Sequence, residues 1–215
     1  MMVDSVNVGS KTEILYRGRT VLTGIFKSPV NHSVLVNNRG LSGDEQADLT
    51  VHGGVDQAVY AYSSIHYNYW KDLLKTDTLP FGSFGENINI TGYTEAEVAS
   101  GDIFEVGSCQ LQVTFPRQPC SKLNAKFDNN QMVKLFNKSG RSGFYLRVIK
   151  EGKIKAGDKF TKIKSPGNPL FINEFYALLT EDKLNKTGLL KAIKADFVPQ
   201  KYRQRFQDHY NALNA

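Results

Sequence analysis

Cys120 lies in the stretch Thr114-Phe-Pro-Arg-Gln-Pro-Cys-Ser-Lys-Leu-Asn124, where a reactive side chain, a stiffened backbone and positive charge coincide. Pro116 and Pro119 fix their own φ and push Phe115 and Gln118 toward extended backbone, so the thiol is presented on a loop with little freedom. A thiolate is a nucleophile, a persulfide carrier or a soft metal ligand. With an ordinary pKa of about 8.5, the thiol needs roughly 2 kcal/mol of relative stabilisation to be mostly ionised near neutral pH. A helix end contributes only about 0.3–1 kcal/mol. The remainder falls to Arg117, Lys122 and Lys126, and a bound metal would exceed it outright. Cys109 is in phase with Leu111, Val113 and Phe115 and reads as core.

Other candidates surround this stretch in sequence. His52-Gly53-Gly54-Val-Asp56 pairs a possible acid or base with two glycines that permit positive φ, and Asp56 is placed to orient His52. Successive N–H groups at such a turn bind phosphate or oxo oxygens, although glycine pairs also make ordinary turns. Phe84-Gly85-Glu86-Asn87 is a second glycine-rich loop. Glu86 joins His52 as a possible proton donor. Arg141, beside Ser142 and Gly143, has the guanidinium fork that grips an anion with two bonds.

These residues need strands and turns to hold them. Alternating polarity from Cys109 to Phe115 predicts a strand, and Ser121–Phe127 a short helix, which puts Cys120 at a strand-to-helix junction. Val21–Phe26, Ser33–Val36, Gly101–Val106 and Arg141–Ile149 read as further strands, and Leu49–Tyr62 as two strands parted by the His-Gly-Gly turn. Ile65–Leu74, capped by Ser63-Ser64, and Met132–Ser139, stopped by Gly140, read as helices. Several short strands at close spacing suggest a closed or nearly closed barrel. At Ser165-Pro-Gly-Asn-Pro169 the pattern changes to helical spacing: Ile172, Phe175, Tyr176 and Leu179; then Leu189, Leu190, Ile193 and Phe197; then Tyr202, Phe206 and Tyr210. The expected division is therefore residues 1–164 and a three-helix extension over 165–215, too small to hold a core alone and expected to dock on the first part.

The 215 residues include only two cysteines and no apolar run of bilayer length. A cytoplasmic protein without membrane contact is expected. The net charge of +6 is uneven: residues 1–150 hold 15 basic and 14 acidic side chains, residues 151–215 hold 12 and 7. The basic tail lacks the interleaved aromatics and arginines of a base-reading surface, so nucleic acid is not expected as a partner.

Val51-His-Gly-Gly-Val-Asp-Gln-Ala-Val59, Phe84-Gly-Glu-Asn87, Pro116-Arg-Gln-Pro-Cys-Ser-Lys-Leu-Asn124 and Ser139-Gly-Arg-Ser-Gly-Phe-Tyr-Leu-Arg147 resemble, in order and spacing, the MOSC family, named for the C-terminal domain of molybdenum cofactor sulfurases. The helical tail is similar to the extension of its YiiM-type subgroup. The resemblance implies an α+β, mostly β chain, a MOSC-type β-barrel followed by three helices. It further implies that the barrel binds the molybdenum cofactor in its molybdopterin form, with Cys120 as the protein ligand to molybdenum. Gly53, Gly54, Asp56, Gly85, Asn87, Arg117, Lys122, Asn124, Arg141 and Ser142 are the expected cofactor-binding residues. The implied activity is reduction of N-hydroxylated compounds, such as hydroxylaminopurines, to amines. Because the chain shows no flavin, nicotinamide or iron–sulfur pattern, the electrons are expected from a separate reductase, and the basic tail is one candidate dock for an acidic flavoprotein. A sulfur carrier or cofactor-delivery protein is the alternative. Ser121 stands where close relatives are expected to carry an aromatic, which bears on the shape of the substrate pocket.

Overall fold

The computed structural model describes residues 1–47, 53–180 and 184–214. It opens with β1 (Met2–Val8), β2 (Thr12–Tyr16), β3 (Arg19–Thr23), β4 (Ser28–Val30), β5 (Val34–Asn37) and β6 (Gly40–Leu41). A 3-10 turn at Val55–Gln57 leads to β7 (Val59–Ser63) and α1 (His66–Leu74). β8 (Ile88–Thr91), β9 (Ala99–Ser100), β10 (Ile103–Val106) and β11 (Cys109–Pro116) run up to α2 (Ser121–Lys126) and α3 (Met132–Ser139). β12 (Phe144–Lys150), β13 (Gly152–Ile154), β14 (Phe160–Lys164) and β15 (Leu170–Phe171) precede α4 (Ile172–Thr180), α5 (Lys186–Ile193) and α6 (Gln200–Ala212).

One sheet dominates, with strand order β14-β10-β11-β12-β7-β8-β1-β4. Only β7 and β8 are parallel neighbours in it, and α1 lies in the long connection that parallel pairing requires. The sheet bends until β1 meets the approach to β14: Val3 N donates to Asp158 O and Phe160 N to Met1 O, both at 2.9 Å. The fold is thus mixed, mostly sheet, with six helices among the described residues. Of the closed or nearly closed barrel expected, no closed ladder is found among the described residues: the sheet order runs from β14 to β4, with β1 reaching the approach to β14. β4 is a three-residue strand containing Pro29, which has no N–H to give to a further neighbour.

Both faces of the sheet centre are covered, and this splits the core. In β7, Val59 and Ala61 face the main apolar cluster of Val6, Ile88, Leu111 and Phe144. Tyr60 and Tyr62 face the other way, into an aromatic cluster with Trp70, Phe84 and Phe136 under α1 and α3. Three tail helices form as their spacing predicts, except that Phe197, expected on the second, lies beyond the end of α5 at Ile193. They pack on the rest of the chain: Leu170–Phe171 pairs with Ala99–Ser100, and Phe115 of β11 shares a cluster with Phe175, Tyr202 and Phe206.

Two local expectations change. The strand expected at Val21–Phe26 is Arg19–Thr23 in a hairpin with Thr12–Tyr16. It ends at Gly24, where a Cβ would lie 2.1 Å from the Glu45 carbonyl oxygen, so the chain leaves the strand to pass against the 44–46 loop. Ser63-Ser64 does not cap α1. The Ser64 hydroxyl donates to the Asp4 carboxylate instead, and Ile65 at the N-cap makes no side-chain cap bond.

Candidate functional site

The ladder between β11 and β12 breaks register between Val113 and Pro116, a bulge of the kind that re-aims side chains. Thr114 Oγ1 holds it, 2.7 Å from the Asp56 carbonyl and 3.1 Å from that of Tyr145. Beyond it the chain turns, and Cys120 sits in extended backbone (φ −117°) as the residue before α2. Its carbonyl accepts from Leu123 N at 2.9 Å. α2 has only six residues, so its dipole contributes little and the charged neighbours matter more.

Cys120 opens onto a cleft of about 110 Å³. Arg117, Gln118 and Lys122 come from its own loop, Tyr60 and Tyr145 from paired positions of β7 and β12, and Gly53 and Gln57 from the glycine turn. Gly85 and Asn87, with Ile25, Lys27 and Asp44, form another side, beside Thr23, Gly24, Glu45, Gln46 and Ala47. Arg117 is 6% exposed, its guanidinium lies 5.0 Å from the Tyr60 ring centroid, and its buried Nη1 has no hydrogen-bond partner. Burial pushes the Tyr60 and Tyr145 phenols up while the Arg117 charge works against it, so both remain hydroxyls.

The walls are fixed by buried polar bonds. Asn87 substitutes for a strand partner of Tyr60: its N donates to the Tyr60 carbonyl at 2.8 Å and its Oδ1 accepts from Tyr60 N at 3.0 Å. Asn87 Nδ2 donates to Asp44 at 2.9 Å, and Asp44 pairs with Lys27 and accepts from Gly9 N. Burial lowers the Lys27 pKa against the pull of Asp44. Lys126 Nζ donates to the carbonyls of Ile25 and Gly82, joining the end of α2 to two wall loops. Burial pushes its pKa down to about 8; Glu86 opposes the shift, and Arg117 and Lys27 add to it.

Six expected residues therefore meet at the cleft: Cys120, Arg117, Lys122, Gly53, Gly85 and Asn87. The others are placed elsewhere, each for a visible reason. Glu86, expected as a proton donor, is 0% exposed and accepts from Gly82 N, Phe84 N, Asn89 Nδ2 and the Tyr67 hydroxyl, so it organises the second glycine loop from inside. Asp56 pairs with Arg147 at 2.8 Å. Asn124 accepts from Val133 N at 2.8 Å and donates to Asn130 O, joining α2 to α3. Arg141 lies 3.7 Å from the Tyr69 ring centroid and donates to Ser139 O. Ser142 is fully buried, its carbonyl accepting from the Tyr60 hydroxyl at 2.9 Å. Gly54 is exposed, with open space where a Cβ would be. His52 lies outside the described residues.

Sequence reasoning passed over Lys27, Asp44, Gln57, Tyr60 and Tyr145. Lys27 and Asp44 sit in loops without a distinctive pattern, far from Cys120 in the chain. The tyrosines are ordinary strand residues until β7 and β12 are known to pair. Cys109 is where its phase puts it, 0% exposed, and burial pushes its pKa up to about 11.

A second buried pair supports the Arg117 side. His66 Nε2 lies 2.8 Å from Glu95, whose other oxygen accepts from Gly143 N at 2.7 Å, and the Gly143 carbonyl accepts from Arg117 N. Burial would raise the Glu95 pKa, but His66 and the Gly143 N–H outweigh it and hold the carboxyl below its ordinary value. That stability is present above the unfolded carboxylate pKa, about 4.3, and is lost as pH falls through the lower folded value. Urea midpoints followed from pH 7 to pH 3 are expected to fall more steeply in the wild type than in Glu95→Gln. Parallel curves would contradict the assignment.

A curled, mostly β sheet that delivers a Pro-Cys loop beside a buried arginine places the chain in a known class. The family model described as MOSC domain matches residues 48–161, and the chain belongs to the MOSC-domain family. Within it the likeness is to YiiM: the crystal structure of YiiM from Geobacillus stearothermophilus has a TM-score of 0.82 and 32% identity, covering 97% of this chain and 98% of that one. YflK of Bacillus subtilis, an uncharacterized protein, is 33% identical over 209 residues, 97% of this chain and 94% of YflK. A Gibberella moniliformis protein named Reductase is 34% identical over 152 residues, 69% of this chain and 27% of the reductase. Among the described residues no helix is long and apolar enough to cross a membrane.

The cleft residues fit the cofactor associated with this family. Among the described residues no group of three or more His, Cys, Asp or Glu is arranged to hold a bare ion. A metal here would bring most of its ligands with it and take one sulfur from the protein, which suits a soft thiolate. The buried charge of Arg117, which lines the same cleft with no ion pair among the described residues, favours an anion there.

Proposed function

We propose that this chain is an oxidoreductase that holds the molybdenum cofactor in its molybdopterin form and reduces N-hydroxylated compounds to amines, taking electrons from a separate reductase. One observation carries the reading: the cleft that Cys120 lines is also lined by Arg117, a buried guanidinium with no acidic partner in an ion pair among the described residues. When bound, the cofactor supplies the two-electron chemistry that removes oxygen from R–NHOH.

The chain's own residues do the rest. Cys120 would be the protein ligand to molybdenum. Arg117 and Lys122 would receive the anionic part of the cofactor, while Gly53 and Gly85, whose N–H groups are given to Gln57 Oε1 and Gly82 O, line the cleft without a side chain in the way. Tyr60 and Tyr145 form an apolar wall with two hydroxyl tips. Glu86 is sealed behind the second glycine loop and the Tyr60 hydroxyl is given to Ser142 O, so the cleft-lining groups that could protonate the departing oxygen include the Tyr145 phenol and the Lys27 and Lys122 ammonium groups. The name of the Gibberella relative supports a reductase.

The test is to load the protein with cofactor and supply a hydroxylaminopurine with dithionite-reduced methyl viologen. The expected result is one amine formed per two electrons consumed. No amine, together with an intact-mass gain of one sulfur on Cys120 in cofactor-free protein, would replace this reading with that of a sulfur carrier.

A further inference from the structure

Three rings packed in succession join the surface of α6 to the cleft. The Tyr202 ring centroid lies 4.7 Å from that of Phe115, and Phe115 lies 5.3 Å from Tyr145, which is itself a cleft wall. Tyr202 is 9% exposed and Phe115 1%, so the column runs inward from the rim. At its outer end Lys201 Nζ lies 4.9 Å from the Phe115 centroid and 5.1 Å from that of Tyr202. Arg205 is near enough to act on the Tyr202 phenol. Lys201 and Arg205 are both exposed, and neither is in an ion pair among the described residues. Arg203 is already held by Asp196 at 3.6 Å, and Asp208, the acid of α6, is hydrogen-bonded to Gln204.

The cleft mouth must admit substrate, so a protein docked across it would block turnover. A donor that docks elsewhere needs a densely packed route inward, and the ring column is one. We propose, building on the reductase reading above, that Lys201 and Arg205 around Tyr202 form the docking face for an acidic electron-transfer flavoprotein, with electrons entering through Tyr202, Phe115 and Tyr145. In each turnover the partner's reduced flavin is oxidised by two electrons and the N–O bond of R–NHOH breaks. Two protons drawn from solvent complete R–NH2 and water. The rings serve as a bridge and undergo no net change. Two unpaired cations at the entrance both steer an acidic partner and orient it, and both effects weaken with salt.

The probe is reduced flavodoxin, an acidic flavoprotein, tested against the double variant Lys201→Glu/Arg205→Glu. Flavodoxin binding to cofactor-free wild type is expected to weaken with salt, and to be about tenfold or more weaker in the variant. In loaded protein the flavodoxin-driven rate should fall by a similar factor, while the rate with reduced methyl viologen stays at the wild-type value. Lys153→Glu/Lys155→Glu, on β13 and the turn after it, should match the wild type in all three measurements. Absent or salt-insensitive binding, equal binding by wild type and the α6 variant, or an equal loss in the β13 variant would overturn the docking face. If viologen drives no reduction in loaded wild type, the reductase reading falls, and the binding measurement still decides the docking face by itself.

Discussion

Cys120→Ser, in protein loaded with the molybdenum cofactor, is expected to lose N-hydroxyl reduction by about a hundredfold or more. Substituting groups that merely support metal ligands costs about 10–100-fold, and removing the ligand itself removes more. A serine oxygen is harder and far less acidic than a thiol, so it does not replace a soft thiolate at this metal. The variant should fold as the wild type does, because Cys120 is half-buried at the cleft edge and is not part of an apolar cluster. Cys109→Ser is the contrasting case. Its sulfur is 0% exposed in the main core, so a hydroxyl there costs about 1–3 kcal/mol of stability and leaves turnover unchanged. Full activity in Cys120→Ser, measured as amine formed with viologen as donor, would end the proposed role of the thiolate.

Glu86→Ala should be the most damaging single change to the fold near the site. The carboxylate accepts from two backbone N–H groups, an amide and a phenol, all buried. Truncation leaves four donors without a partner, at about 1–3 kcal/mol each before water or relaxation recovers part of it. A net loss of about 3–5 kcal/mol corresponds to a fall of roughly 10 °C in melting temperature for a chain of this size. Glu86→Gln keeps one acceptor oxygen and should fall between. A proton donor would behave differently: Glu86→Gln would then melt like the wild type and lose activity. Calorimetry on the three proteins, with turnover measured well below each melting point, separates the two roles.

The residues that make the site recognisable and those that build it are different sets. Cys120, Arg117 and Lys122 could be read from sequence because the two prolines and the clustered charge act over a few neighbouring positions. The three tail helices were legible for the same local reason, since their apolar spacing repeats within each helix. β1 was not read, because Asp4, Ser5 and Asn7 interrupt its pattern. Two of these are buried nonetheless, Asn7 donating to Asn89 at 2.8 Å and Ser5 to Asn7 at 2.7 Å. The surroundings of Glu86 were hidden in the same way: only the folded loop shows that its acceptors are used inward. Lys27 and Asp44 depend on contacts across long stretches of chain, which spacing within a segment does not encode. The barrel expectation counted the strands as numerous and short, but whether the two ends of a sheet meet depends on pairing between residues 1–3 and the approach to β14, which lies far away in the chain and leaves no pattern within a segment.

The most direct measurement is molybdenum K-edge X-ray absorption on cofactor-loaded wild type and Cys120→Ser. One sulfur fewer around the metal in the variant is the result expected if this thiolate holds molybdenum. Identical sulfur shells in the two proteins, with equal metal content, would contradict it.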